Sequence, residues 1–384
     1  MIGAVIHLLA AGWGPWAASG LDWSLVPFPF WAACFFVLGC VVGSFLNVCI
    51  HRMPLGMSVV SPPSHCPRCK YAIPWYLNIP LVTWLWLGGK CRNCGARISV
   101  RYFAVELLTG TAFLGCWLEF GNTEHPFYAM AMAMAWAVFL SGLIVATFID
   151  IAHFIIPDEI TLGGLATGLA VSFLLPGLHS APSHVLGLLR GALGATVGAA
   201  VTYGILRFGK LLFGRQKVKL PAGAKIVFSE TSLYLPDREI PYEELFYRKS
   251  DVIALKAERL ELVDRGYRDV SVRLSPVVLE IGGEKLNPDD VPCMEAVSSE
   301  IVLPREAMGA GDVKFMAAIG SFLGWTGAFF ALMASSLIGA TIGLLLIMLR
   351  RREWSSRMPY GPYIALAAAI WVFLGKRIFH ALLP

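Results

Sequence analysis

Seven long apolar runs dominate this chain, near residues 28–50, 102–120, 127–149, 160–178, 183–208, 327–349 and 362–382, with polar loops between them. A helix needs roughly 20 mostly apolar residues to cross about 30 Å of hydrocarbon. In lipid only a helix or a closed barrel satisfies its own backbone. Runs of this length point to a polytopic α-helical membrane protein. The composition agrees: 57% of the 384 residues are hydrophobic and 15% charged, with a mean hydropathy of +0.65, whereas soluble domains carry about 25% charged residues. A shorter apolar stretch, 313–323, would reach only about 16 Å as a helix. We therefore expect seven or eight membrane segments.

Lys and Arg in the short connections set the orientation. Arg52, Arg68, Lys70, Lys90, Arg92, Arg97 and Arg101 follow the first run, whereas 121–126 contains no Lys or Arg. The first connection belongs in the cytoplasm and the second outside. If each run crosses once, Arg207, Lys210, Arg215 and the group Arg350, Arg351, Arg352 and Arg357 also fall inside. Arg190, about two turns into the fifth run, and Lys376 with Arg377 near an outer C-terminus need snorkelling or a protein-lined interior. The first run follows about 25 residues rich in Gly, Trp and Ala, with no Lys or Arg before Arg52. A cleavable signal peptide would want a basic start, so an uncleaved first span with its N-terminus outside is expected. The net charge of +5 follows from this orientation and from contact with anionic lipid, and does not indicate nucleic acid.

Five divisions follow: 1–50 with the first membrane helix, 51–101 as a cytoplasmic cysteine segment, 102–209 as membrane helices, 210–306 as an inserted soluble domain, and 307–384 as further membrane helices. Residues 217–306 hold 17 of the 26 acids and 13 of the 31 Lys plus Arg, a sharp break in composition. This insertion should face water as an α+β or mostly β module. Lys225–Ser229 and Val270–Ile281 read as strands, Gly282-Gly283 as a hairpin turn, and Glu243–Val263 as one helix.

Four of the nine cysteines form two pairs, Cys66-Pro67-Arg68-Cys69 and Cys91-Arg92-Asn93-Cys94. Such knuckles can place four thiolates around one Zn²⁺ at about 2.3 Å each. A reducing cytoplasm disfavours disulfides. With all four positions filled by sulfur, the metal would be structural, closing a segment too short to have much core of its own.

Two acids stand out. Outside 217–306 the chain has only nine Asp or Glu, and Asp150 and Asp312 sit where apolar runs meet loops. An ionisable group at membrane depth is a candidate functional residue. Two carboxylates that approach closely can share one proton and hydrolyse a peptide, one activating water while the other donates to the carbonyl oxygen. Gly309 and Gly311 remove bulk before Asp312, and Pro157 ends or bends any helix beyond Asp150. Helix capping and proton coupling in a transporter fit the same residues.

These motifs, taken together and in order, resemble the bacterial type IV prepilin peptidases, bifunctional aspartic enzymes of the Gly-x-Gly-Asp intramembrane type. The resemblance rests on Gly43-Ser44-Phe45-Leu46-Asn47-Val48-Cys49-Ile50-His51-Arg52-Met53-Pro54 and Ser61-Pro62-Pro63-Ser64-His65-Cys66. It continues through Ala96-Arg97-Ile98-Ser99-Val100-Arg101-Tyr102, Val105-Glu106-Leu107-Leu108-Thr109-Gly110, Asp150 to Thr161, Gly309 to Lys314, and Pro359-Tyr360-Gly361-Pro362-Tyr363. It implies an inner-membrane enzyme that cuts basic leaders from type IV prepilins or type II secretion pseudopilins on the cytoplasmic side. Asp150 and Asp312 would be the catalytic pair, with His153, Pro157, Asp158, Gly309, Gly311 and Lys314 around them. Cys66, Cys69, Cys91 and Cys94 would hold zinc. The resemblance further implies N-methylation of the new terminus from S-adenosylmethionine. No Gly-x-Gly-x-x-Gly signature follows a strand, and residues 43–54 and Glu106 are candidates for that chemistry by position only. The insertion departs from compact family members; gating of access, contact with the pilus or secretion assembly machinery, and mere tolerance all fit it. A peptidase without methylation, a proton-coupled transporter and a zinc-anchored scaffold are the competing readings.

Overall fold

The computed structural model describes residues 27–122, 126–213, 215–221, 223–242, 245–246, 251–304, 309–349 and 358–382. The N-terminal stretch rich in Gly, Trp and Ala and the group Arg350, Arg351, Arg352 and Arg357 lie outside them. Two compact units result, one formed by Met1–Ala200 with Gly311–Pro384 and the other by Val201–Ala310.

The helices are α1 (Phe28–Arg52), α2 (Val82–Trp86), α3 (Val100–Phe120), α4 (Pro126–His153), α5 (Asp158–Leu174), α6 (His184–Phe213), α7 (Ala310–Met348) and α8 (Gly361–Leu382). Five are long and apolar enough to cross a membrane: Phe28–Leu55, Val100–Phe120, Pro126–His153, His184–Leu211 and Ala310–Met348. The 17-residue α5 and the apolar part of α8, Gly361–Gly375, are shorter.

Hydrocarbon gives helices no hydrophobic reason to associate, so close backbone packing at small residues does that work. On α1, a Cβ at Gly39 would lie 2.7 Å from Thr109 O, and one at Gly43 would lie 2.8 Å from Glu106 Cα. On α6, Gly191 abuts Ser172 and Ser321, Gly194 abuts Gly320 and Gly324, and Gly198 abuts Met316 and Ala328. Along α6 these partners descend from Ser321 to Met316 and also rise from Gly324 to Ala328. The helix labelled α7 is therefore two arms folded against each other, the first antiparallel to α6 and the second parallel. The reversal falls at Gly324, with φ 71° and ψ 179°, a region essentially reserved for glycine. The short apolar run at 313–323 is thus the first arm. The second arm lies antiparallel to α8, with Phe330 against Trp371, Ser335 and Ser336 on Tyr360, and Gly339 against Tyr363.

A polar knot sits beside the reversal. Ser172 Oγ is 2.9 Å from His179 Nε2 and donates to Ser321 O at 3.0 Å. Arg190 Nη1 donates to His179 O and Ser180 O. This position, awkward in the sequence, gives the Arg190 charge to carbonyls of the α5–α6 connection.

The second unit carries an antiparallel sheet: β1 (Arg215–Lys219), β2 (Lys225–Phe228), β3 (Ser232–Leu235), β4 (Arg238–Pro241), β5 (Ile253–Leu262), β6 (Gly266–Leu274), β7 (Leu279–Ile281), β8 (Glu284–Leu286), β9 (Met294–Val297) and β10 (Glu300–Pro304). The order is β4-β3-β2-β9-β5-β6-β7-β8, with β10 pairing β1 and β5. Its core includes Ile226, Leu233, Ile253, Leu255, Leu260, Leu279, Ile281 and Ile301. The module is mostly β. The helix expected over Glu243–Val263 is a correction: residues 253–262 form β5, while 243–244 and 247–250 lie outside the described residues. Ile253, Leu255 and Ala257 are buried while Lys256 and Glu258 are exposed, a period of two that the flanking charges disguised as a helical face. The single strand expected over Val270–Ile281 is two, β6 and β7, parted by a turn in which Ser275 N–H donates to Val278 O. Gly282 and Gly283, with φ 59° and 99°, join β7 to β8 as the turn residues expected.

Because only glycine adopts the Gly324 backbone freely, Gly324→Ala should destabilise the protein by about 1–3 kcal/mol. The check is a lowered midpoint of thermal unfolding in detergent, with Gly163→Ala, where a Cβ meets nothing within 4 Å, changing it much less.

Candidate active site and metal centre

Asp150 lies one turn before the end of α4 and is 5% exposed. Its Oδ2 accepts the backbone N–H of Gly361 at 2.8 Å, at the first residue of α8. Free N–H groups at a helix start favour an anionic partner. Glycine is required for this approach, since a Cβ at 361 would stand 2.7 Å from Asp150 Oδ2 and 3.2 Å from Ile156 Cδ1. The hydroxyls of Ser335 and Ser336, 3.0 and 2.9 Å from Tyr360 Oη, position the residue before it.

Asp312 is in the first turn of α7 and is 9% exposed. The preceding residue, Gly311, packs on Ile156, with its notional Cβ 3.8 Å from Ile156 Cβ. Ile156 therefore touches both the residue beside Asp312 and the residue that donates to Asp150, so the segments carrying the two acids meet on one side chain. Lys314 Nζ reaches Asp158 Oδ1 at 2.7 Å and Oδ2 at 2.9 Å, tying the start of α7 to the start of α5. This exposed pair is worth no more than about 1 kcal/mol, so it matters for position. Pro157 is the N-cap of α5. His153 is exposed at the end of α4, and Gly309 is exposed ahead of α7. Ile156 and the Gly361 N–H were not singled out as site groups from the sequence. Gly361 is 211 positions from Asp150, and the only signal was its place in the Pro359–Tyr363 motif.

Cys66, Cys69, Cys91 and Cys94 bring their four sulfurs within 4.8 Å of one another. Cys66 Sγ is 3.9 Å from Cys94 Sγ, and Cys69 Sγ is 4.0 Å from Cys91 Sγ. The edge of a tetrahedron with about 2.3 Å metal–sulfur bonds is roughly 3.8 Å, so the four sulfurs fit one metal ion such as zinc. The two knuckles repeat each other. Cys66 N–H donates to Tyr71 O and Cys91 N–H to Ala96 O; Lys70 N–H donates to Cys66 O and Gly95 N–H to Cys91 O. Lys70 and Gly95 both have left-handed backbones, and the bridges His65–Ala72 and Lys90–Arg97 close the two loops. The Tyr71 backbone and the Asn93 side-chain amide pull the Cys69 thiol down to about 6, whereas Cys94, despite the Ala96 backbone, is pushed up to about 11 by desolvation and the neighbouring thiols. Buried Arg52 anchors the start of this segment through Ser58 O at 3.0 Å and Pro62 O at 2.7 Å.

Two family models match the chain. One, described as the bacterial Peptidase A24 N-terminal domain, covers residues 37–120, and the other, described as the type IV leader peptidase family, covers 137–235 and 293–344. The chain is 48% identical over 147 residues to a prepilin leader peptidase/N-methyltransferase of Myxococcus xanthus, covering 38% of this chain and 42% of that relative. It is 28% identical over 390 residues to the prepilin leader peptidase/N-methyltransferase of Aeromonas hydrophila, covering 94% of each. The equivalent protein of Pseudomonas aeruginosa is 27% identical over 370 residues, covering 90% of this chain and 91% of the relative. No solved structure matches. Fold and site define a multi-pass membrane protein with two buried aspartates on converging segments and a separate four-cysteine cluster able to hold a metal ion. With the matches above, the chain belongs to the type IV leader peptidase family.

A methyl group at 361 would push the Asp150 carboxylate aside. Gly361→Ala should therefore slow leader removal about 100-fold, the scale expected for roughly 1 Å of misplacement. The check is the cleavage rate in membranes holding equal amounts of enzyme, where a rate within threefold of wild type would refute this role for the contact.

Proposed function

We propose that this chain removes the basic leader of prepilins or pseudopilins at the cytoplasmic face of the bacterial inner membrane and then methylates the exposed terminus. The observation that carries the reading is the convergence of the Asp150 and Asp312 segments on Ile156. In this reading one carboxylate takes a proton from water as its oxygen bonds to the scissile carbonyl carbon, and the other protonates the carbonyl oxygen. Collapse breaks the C–N bond and the departing amine takes up a proton. The glycines around Asp312 leave room for an extended backbone, and a site at the ends of α4 and α7 suits a peptide whose apolar helix begins just past the cut. His153, Pro157, Asp158, Gly309, Gly311 and Lys314 are read as its surroundings, with the Lys314–Asp158 pair holding the helix starts in register.

Eight membrane segments are our reading of the fold, with the two arms of α7 counted separately. The 51–101 segment and the 210–306 insertion are placed in the cytoplasm, where the basic connections put them. In this scheme 102–209 and 307–384 carry the two catalytic acids, and 1–50 the first helix.

Cys66, Cys69, Cys91 and Cys94 would hold a structural zinc ion that orders the loop after α1. The methyl donor is read as S-adenosylmethionine, which supplies an electrophilic methyl group when bound. Trp84 Nε1 and Arg101 Nε are buried N–H donors with no hydrogen-bond partner among the described residues. They suit the carboxylate or adenine acceptors of such a molecule, and Trp84 lies against Gly89 beside the second knuckle.

Intact mass of a co-expressed prepilin tests the reading. Wild type should yield a product lacking the leader and carrying one methyl group, and Asp150→Asn and Asp312→Asn should each leave the substrate full length. Persisting cleavage in both variants would overturn the aspartyl mechanism. Elemental analysis should find about one zinc per chain in wild type, and a clear loss in Cys69→Ser with Cys91→Ser.

A further inference from the structure

The ends of α1 and α3 hold a second buried polar group that leader cleavage does not use. Glu106 is 8% exposed and Asn47 is 1% exposed. Glu106 Oε2 accepts the backbone N–H of Leu81 at 2.8 Å, and the Ser44 hydroxyl lies near this carboxylate. No ion pair to Glu106 forms among the described residues. Leu81 takes a left-handed backbone, φ 60°, at the point where it meets the carboxylate. Asn47 Nδ2 donates to Gly43 O at 3.3 Å and to Tyr102 O at 3.1 Å. Two carbonyl acceptors fix which end of the amide is nitrogen. The other end, Oδ1, is buried with no partner.

A buried carboxylate with no counter-charge and a buried amide oxygen with no donor are both unfavourable as they stand. Asn47 faces Tyr102 and Gly43 faces Glu106, so with the Ser44 hydroxyl these acceptors lie within about one turn of each other where α1 faces α3, in contrast to the buried donors Trp84 Nε1 and Arg101 Nε. A primary ammonium carries three N–H donors and one positive charge, which matches Glu106, Asn47 and Ser44. A hard divalent cation would want more oxygen ligands and its own waters than these apolar helices supply.

The position of the cluster indicates which ammonium. Leu46, Cys49 and Ile50 of α1, Val105 of α3, and Ile144, Val145 and Ile149 of α4 form one apolar cluster. Asn47 follows Leu46, Glu106 follows Val105, and Asp150 follows Ile149. The three helices that carry Asn47, Glu106 and Asp150 therefore meet at one apolar cluster. An amine generated at Asp150 therefore arises on a helix packed against those that carry Glu106 and Asn47.

Resting on the proposed function, we propose that Ser44, Asn47 and Glu106 form the receiving site for the primary ammonium that leader cleavage exposes, and so hold the methyl acceptor. The cluster selects a free α-amine and does not bind the donor.

The test uses full-length enzyme in nanodiscs and two synthetic peptides of a mature pilin N-terminus, one with a free α-amine and one N-acetylated. Wild type should bind the free amine at least tenfold more tightly than the acetylated peptide. Glu106→Gln should remove that preference while leaving S-adenosylhomocysteine affinity within twofold. Asn47→Ala and Ser44→Ala should reduce the preference by smaller factors. Equal binding of the two peptides by wild type would overturn the proposal without recourse to any variant. A Glu106→Gln enzyme that keeps the preference, or that loses S-adenosylhomocysteine affinity instead, would also overturn it, the latter by assigning the cluster to the donor. A wild-type product with no methyl group at all would instead sink the methylation reading, and intact mass of that product separates the two failures.

Discussion

A carboxylate buried among apolar helices needs a donor that adds no bulk, and the Gly361 N–H supplies it to Asp150. The rest of the membrane unit is arranged so that this contact can form. Tyr360 is held by two serines on the second arm of α7, that arm returns because the chain reverses at Gly324, and the reversal packs through glycines on α6. The first arm brings Asp312 to the place where Ile156 already meets Gly361. Apolar helices alone would associate weakly and without a preferred register; glycine contacts and a few polar groups such as Ser172, His179 and Ser321 provide the register.

The four-cysteine segment works on a different principle. With little core of its own, it builds the same small loop twice, each from a Cys-x-x-Cys pair followed by a left-handed residue, and the sulfurs meet at one point. This segment is tied to Glu106 of α3 through the Leu81 N–H, so ordering of the loop bears directly on the polar groups beside it. The four-cysteine segment and a buried carboxylate are thereby linked through one backbone N–H.

Much of this was legible in the sequence because it depends on local pattern. The Cys spacing carries its own chemistry, the apolar runs carry their length, and Gly282-Gly283 carries the only backbone freedom that a tight hairpin there tolerates. The span Glu243–Val263 was misread because charged residues on the exposed face of β5 also satisfy a helical repeat over a few turns. The run 313–323 was legible as a separate short segment, but its folding back on the next was not, because the reversal is signalled by one glycine in a glycine-rich stretch. The partnership of Gly361 with Asp150 spans 211 positions, and neither local sequence names the other as its partner.

By itself the sequence determined that this chain lives among apolar helices, that two acids stand at their ends, that four cysteines form one set, and that a polar module interrupts the series. Those properties follow from residue chemistry and short-range spacing. Only the tertiary structure decided which backbone faces Asp150, how α7 folds back, and that Asn47 and Glu106 are both buried where α1 faces α3. These depend on which surfaces pack, and packing in an apolar medium is settled by steric fit between distant small residues and by buried polar groups finding partners.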